Sequence, residues 1–405
     1  MKIPHFLHFI DLYPCSHDKF NTKILDTHSW AWFLSLFFLL SCTTPTPPIH
    51  SQDSPPLDFT FIKGADVSYI PELEDLNVSF TRNNEELDLV TIYRRAGFNW
   101  MRLRLWNNPA SPKGYNGLER TLGLAKRIKA TGMKLLLDFH YSDTWADPEN
   151  QEKPQTWGGL SPSDLTQTIR TFTKETIARF KSEGVLPDMV QLGNEIASGI
   201  LWPTGAVGGI NETNTQWENL GNLLKAARLG VSDALAPGDQ VKIMIHTQSG
   251  ADLGMQTWFF DRLTAQGVTY DVIGLSYYPF WSDQPQGKSL ADLAILWTTL
   301  ANKYQKPVIL AETAYPWTLE GKDSQNNFVW QDSQLIQNYP ATPEGQKNYL
   351  TQLSQTMKNL NFSGAKGWFY WAPDSVAAPG FPTSWENLTL FDFEMKSLPG
   401  LEAGF

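Results

Sequence analysis

Val190-Gln191-Leu192-Gly193-Asn194-Glu195 and Val308-Ile309-Leu310-Ala311-Glu312 are two short apolar runs that each close on a glutamate. Runs of this length, bounded by polar residues, read as buried strands. An ionisable group at the end of such a strand sits at the mouth of a core, where it costs stability unless chemistry requires it. The same kind of run recurs on both sides, giving strands over Phe61 to Val67, Trp100 to Trp106, Met133 to Phe139, Met189 to Gly193, Val241 to His246, Val272 to Tyr278, Pro307 to Ala311 and Gly367 to Trp371. Longer segments with apolar residues at three-and-four spacing lie between them, among them Leu118 to Ala130, Ser163 to Ser182, Trp217 to Leu235, Ser289 to Tyr304 and Pro343 to Leu360. Strands alternating with helices in this way predict an α/β chain, a (β/α)8 TIM barrel in a single domain over 59–405, with its site at the C-terminal strand ends. A doubly wound open sheet is the alternative. No glycine-rich phosphate fingerprint follows the first strand, which counts against it.

The composition limits the function. With 405 residues, 41% of them hydrophobic, the chain can bury a large core. Its net charge of -10 argues against binding nucleic acid or an anionic membrane through a basic surface, and suits a neutral substrate. Tryptophan is abundant at 16 residues, more large rings with a polar N–H than a core demands. The two cysteines, Cys15 and Cys42, precede the domain, so the domain has no internal disulfide and no cysteine metal site.

The run Trp30 to Leu40 is too short to span a bilayer but has the length of the hydrophobic core of an export signal. The following Leu39-Leu40-Ser41-Cys42 resembles a bacterial lipoprotein cleavage box, in which Cys42 becomes the lipidated first residue. Residues 1–41 are therefore expected to be a signal peptide and 42–58, rich in Pro, Ser and Thr, an extended tether. The expected location is the cell envelope, lipid-anchored at the periplasmic face or cell surface, or the exterior as a secreted protein. The rival reading of this stretch is an ordinary buried helix with an incidental cysteine. Export signals normally begin basic, whereas Asp11, Asp18 and Asp26 stand here beside Lys2, Lys19 and Lys23. This raises an over-long start as a second expectation, although no methionine lies between Met1 and Met101.

Polar residues unusual for a core gather where the strands finish: Asp66 and Tyr69, Arg102 and Arg104, Asp138 and His140, Asn194 and Glu195, His246, Tyr277 and Tyr278, and Glu312, with Trp371 at the last. Each alone has a bland reading as a hydrogen-bonded rim residue. Two carboxyls across one bond are the machinery of glycoside hydrolysis. In that chemistry one carboxyl is held protonated and the other ionised. Arg104 is the candidate for holding Glu312 ionised, and Asn194 for donating to a sugar 2-OH. Trp106, Trp145, Trp157, Trp202, Trp281, Trp317, Trp330 and Trp371 fall at or after strand ends, where their faces can stack on sugar rings.

At these residues the chain resembles a known family. Phe61-Ile62-Lys63-Gly64-Ala65-Asp66-Val67-Ser68, Arg102-Leu103-Arg104-Leu105-Trp106-Asn107, Gly193-Asn194-Glu195-Ile196, Ala311-Glu312-Thr313-Ala314-Tyr315-Pro316 and above all Asp138-Phe139-His140-Tyr141-Ser142-Asp143-Thr144-Trp145-Ala146-Asp147-Pro148 resemble glycoside hydrolase family 53, the endo-β-1,4-galactanases. The resemblance implies a retaining endo-hydrolase of β-1,4-galactan, the backbone of type I arabinogalactan side chains in pectin. Glu195 would be its acid/base and Glu312 its nucleophile. The residues expected to meet substrate are Asp66, Trp106, Asp138, His140, Asp143, Trp145, Asp147, His246, Tyr277, Tyr278, Trp317 and Trp371. No cofactor is required. Bacterial members often hold calcium in the loop after strand seven; here Asp323 and Asn327 are the candidate ligands, and Lys322 in the middle of that loop argues against it. A polysaccharide is the expected partner of a monomeric enzyme, with no nucleic acid and with a membrane only through the N-terminal anchor. The rivals are another barrel endo-glycanase, a β-mannanase or cellulase, and a non-catalytic, lipid-anchored glycan-binding protein.

Overall fold

The computed structural model describes residues 54–110, 113–281 and 289–404. Cys42, the signal peptide and all but the end of the tether lie outside them. Eight strands close into a parallel barrel: β1 (Ile62–Asp66), β2 (Trp100–Leu105), β3 (Lys134–Phe139), β4 (Met189–Leu192), β5 (Lys242–Thr247), β6 (Val272–Ser276), β7 (Val308–Thr313) and β8 (Gly367–Trp371). Each pairs in parallel with its sequence neighbours, and β8 pairs with β1. All eight anticipated strands are present, with ends moved by at most two residues. Among the helices, α1 (Ile70–Asp75), α2 (Leu89–Arg95) and α6 (Leu253–Ala265) were not anticipated. The other five are α3 (Leu118–Ala130), α4 (Pro162–Ser182), α5 (Asn214–Ala234), α7 (Leu290–Tyr304) and α8 (Pro343–Lys358).

Local chemistry starts these helices where it does. Ser161, Thr213, Asp252, Ser289 and Thr342 cap α4 to α8, each accepting a backbone N–H from the first turn, a contact worth about 1 kcal/mol per helix. The barrel interior is filled from below by Ile62, Trp100, Leu136, Met189, Met244, Val272, Ile309, Ala311 and Phe369. Gly64 belongs to this layer, because a Cβ there would stand 2.3 Å from the Phe369 ring. Above the apolar plug the inward positions turn polar: Asp66, Arg102, Asp138, Gln191 and His246.

Strict alternation would turn Glu312 outward once Ile309 and Ala311 face in. The register prevents this. Leu275 pairs with Leu310 but Ser276 pairs with Glu312, so Ala311 is an extra residue in β7. This bulge brings two consecutive side chains to the inner face and aims Glu312 at the mouth. Glu195 is turned differently. It follows β4 with φ 50 and ψ 49, left-handed backbone that costs a non-glycine residue about 1 kcal/mol. Gly193, at φ 90, allows the turn, since a Cβ would lie 2.6 Å from Ile196.

Candidate active site

Arg102 is the centre of the polar layer. Fully buried on β2, it donates from Nη1 to Glu312 Oε1 (2.9 Å) and Asp66 Oδ2 (3.1 Å), and from Nη2 to Asp138 Oδ2 and Asn194 Oδ1 (both 2.8 Å). Its Nε reaches Gln191 Oε1 at 3.2 Å. A guanidinium suits this position because its planar fork serves several acceptors at fixed angles. The expectation that Arg104 holds Glu312 is corrected: Arg102, one pleat step deeper, does so. Arg104 instead lies over the Tyr69 and Trp145 rings, 4.2 and 4.3 Å from their centroids.

The two glutamates have unlike surroundings. Glu312 receives Arg102 on one oxygen, and Tyr278 OH (2.9 Å) and Ser276 Oγ (3.4 Å) on the other. Burial pushes its pKa up, while Arg102 and the Tyr278 hydrogen bond pull it back. Glu195, partly open to solvent, is raised by burial and then by the charge of Glu312, and among the described residues no cation pairs with it. Asp138 is buried too, but Arg102 and His140 outweigh that burial and hold its carboxyl below the usual range.

Several anticipated substrate contacts belong to the scaffold. Asp66 accepts from the Ser68 backbone N–H and hydroxyl as well as from Arg102. His140 accepts at Nδ1 from the Ala146 N–H (3.0 Å) and Trp106 Nε1 (3.3 Å), which leaves its Nε2 hydrogen facing Asp138 Oδ2 at 3.2 Å. His246 bridges Ser276 Oγ and the Gln191/Asn194 amides; burial and Arg102 lower its pKa well below the ordinary value, so the ring is neutral. Asn194 spends its carbonyl on Arg102 and one amide hydrogen on Ala146 O (2.9 Å). Asp143 ties loops together by accepting from the N–H groups of Asn108 and Gln155. Tyr277 is corrected outright: it follows the inward-facing Ser276, and its ring packs outside the barrel on Trp297.

At the mouth stand half-buried Trp106 and Trp145 and, beneath them, Trp371; Asp147 is partly exposed and its charge acts on Glu195. Facing them is an aromatic group that sequence reasoning missed in part: Trp385 packs on Tyr278 (5.5 Å), Trp281 (5.6 Å) and Phe328 (5.3 Å). Trp281 and Trp330 are half or more exposed, whereas Trp157 is buried against Phe172. Gln191, Ser276 and Trp385 were absent from the anticipated site. The first two were legible as polar residues on inward positions of apolar strands; Trp385 lies in a loop without periodicity and had no such signal.

The loop after β7 carries Trp317, which packs on Phe393 at 4.7 Å. It is stitched to the loop after β8 by protein groups. Asn387 Nδ2 donates to Thr318 O and Val329 O, and buried Glu386 accepts the N–H groups of Lys322 and Asp323. Both calcium candidates already have protein partners. Asp323 gives its oxygens to the Gln325 and Thr383 N–H groups, and Asn327 donates to Glu320 O. Among the described residues no three His, Cys, Asp or Glu side chains are grouped to hold a metal.

This combination of barrel and facing carboxyls has close relatives. The sequence profile of glycosyl hydrolase family 53 matches residues 62–403. The chain is 40% identical to an uncharacterized protein in the bgaB 5'region of Niallia circulans, over 85% of this chain and 94% of that one. It is 35% identical to an arabinogalactan endo-β-1,4-galactanase of Cellvibrio japonicus, over 83% and 88%. The solved GH53 catalytic domain of Ignisphaera aggregans superposes with a TM-score of 0.77 at 35% identity, covering 86% of this chain and 96% of that one. A closed eight-stranded parallel barrel, a profile match across nearly all of it and relatives of this likeness over most of their length lead to one conclusion: the chain belongs to glycosyl hydrolase family 53.

Proposed function

We propose that this protein is a retaining endo-hydrolase of β-1,4-galactan, acting on type I arabinogalactan by double displacement. The observation that carries the mechanism is the unlike setting of the two glutamates. Glu312, with Arg102, Tyr278 and Ser276 donating to it, is the nucleophile, because three donors favour its ionised form. Glu195, with no ion pair among the described residues and a raised pKa, is the acid/base. Glu312 attacks the anomeric carbon as Glu195 gives its proton to the leaving oxygen, forming a covalent glycosyl-enzyme. Glu195, now a carboxylate, takes a proton from water, which displaces Glu312 and restores the original anomeric configuration. The second Asn194 amide hydrogen, not used on Ala146, is the donor for a sugar 2-OH.

The named activity of the Cellvibrio japonicus relative supports galactan as substrate, and the aromatic groups on both sides of the mouth suit a chain of sugar rings. A binding protein that had lost its chemistry would not need to keep both glutamates and the Arg102 network, and no observation favours mannan or cellulose. We take the enzyme to act as a monomer, exported and held at the cell envelope by a lipid on Cys42. Cys42→Ala should release it from the membrane fraction or leave its signal uncleaved; a wild-type enzyme wholly soluble in cells would end that reading. A reducing-sugar assay on galactan, mannan, xylan and carboxymethyl cellulose tests the substrate. Rapid cleavage of galactan alone is expected, and comparable rates on mannan or cellulose would refute it.

A further inference from the structure

Arg104 is left over once Arg102 has taken the work on Glu312, yet its side chain is 1% exposed. A buried guanidinium normally meets carboxylates or carbonyls through most of its donors. Among the described residues, Nε and Nη1 have no hydrogen-bond partner. Asp66, the carboxylate in its ion pair, stands 3.6 Å away and is already engaged by Ser68 and Arg102. What Arg104 touches is aromatic: it sits in the corner made by Tyr69 and Trp145, whose centroids are 6.3 Å apart, with Trp371 5.6 Å away. A desolvated cation over an indole is among the stronger contacts such a ring can make. The rings of Trp106, His140 and Trp371 meet Trp145 edge-on or tilted.

We propose that Arg104 is a positioning residue for substrate recognition: it fixes the Trp145 indole, through the corner it shares with Tyr69, as the platform on which a pyranose ring stacks beside the cleavage site. The inference rests on the functional reading above and adds the residue that sets the platform. A lysine could supply the charge at this point but not the plane that matches two rings.

The test is a double-mutant cycle in the full-length enzyme on β-1,4-galactotetraose, with Arg104→Met, Trp145→Ala and the two combined. Arg104→Met should raise KM about tenfold, the size expected of a desolvated cation–π contact, with kcat changed by less than about threefold. The acid limb of the pH profile should not move, which separates this role from one exerted on Glu312. In the Trp145→Ala background the same substitution should have almost no further effect, because the ring it acts through is gone. Arg104→Lys should fall between wild type and Arg104→Met, and supplies the same reading if the methionine variant does not fold. Additive effects, an unchanged KM, or a kcat loss with a shifted acid limb would each overturn the assignment. Wild-type enzyme that leaves galactan intact would instead remove the functional reading itself.

Discussion

Arg102 is one cation serving Asp66, Asp138 and Glu312, all of them buried. Charge-assisted bonds of this kind are strong, and breaking a buried set by removing one partner leaves uncompensated charge. Arg102→Met should therefore cut kcat by several orders of magnitude. It should also move the acid limb of the pH profile, where Glu312 takes up its proton, to higher pH, because the guanidinium that favours the carboxylate is lost. The alkaline limb, where Glu195 loses its proton, should move far less. A profile displaced equally on both sides would contradict these assignments. Glu195→Gln and Glu312→Gln should each abolish turnover while leaving the circular dichroism unchanged. A quieter carboxyl gives a prediction on stability. Burial pushes Asp374 from its ordinary 3.8 up to about 7. Between those values the folded chain holds a proton that the unfolded chain has released, so this group makes stability fall as pH rises through that window. Asp374→Asn, neutral throughout, should gain in Tm relative to wild type on going from pH 4.5 to 8. Parallel Tm curves would show that Asp374 is not protonated in the fold.

The elements supply what the residues need, and they differ in how legible they were. The eight strands could be read because each is a short apolar run with a polar end, and the long helices because their apolar stripe is periodic. Helices α1 and α2 are six and seven residues long, too short to show a period, and α6 is apolar on more than one face, so neither pattern marks them. Arg104 was expected to hold Glu312 in place of Arg102 because both face inward and the sequence does not show at which level the Glu312 carboxyl lies. The Ala311 bulge was equally hidden: a one-residue register shift leaves no trace in composition, yet it decides whether Glu312 faces the site. Gly64→Ala tests the plug below. Its Cβ would meet the Phe369 ring, an overpacking expected to cost about 1–3 kcal/mol in denaturant melts; an unchanged midpoint would show that Phe369 can move aside.

At the scale of the molecule, an apolar plug closes the lower barrel, a buried polar layer orients two carboxyls above it, and loops carrying aromatic rings face each other across the mouth. The loops after β7 and β8 are tied by Asn387 and Glu386. Lys322 in the loop after β7 argues against calcium there, so activity on galactan is expected to survive prolonged chelation; a loss restored by calcium would place an ion in that loop. Galactose carries an axial 4-OH, so β-1,4-galactan is a kinked chain, and platforms set for its path do not serve the flat ribbons of cellulose or mannan. The claim on which the whole account turns is that Glu312 forms a covalent bond to the sugar while Glu195 gives and then takes the proton. Proton NMR of a fresh galactan digest tests it most directly. The β anomer should appear first and convert slowly to the α form by mutarotation; initial release of the α anomer would mean inversion and would contradict the account.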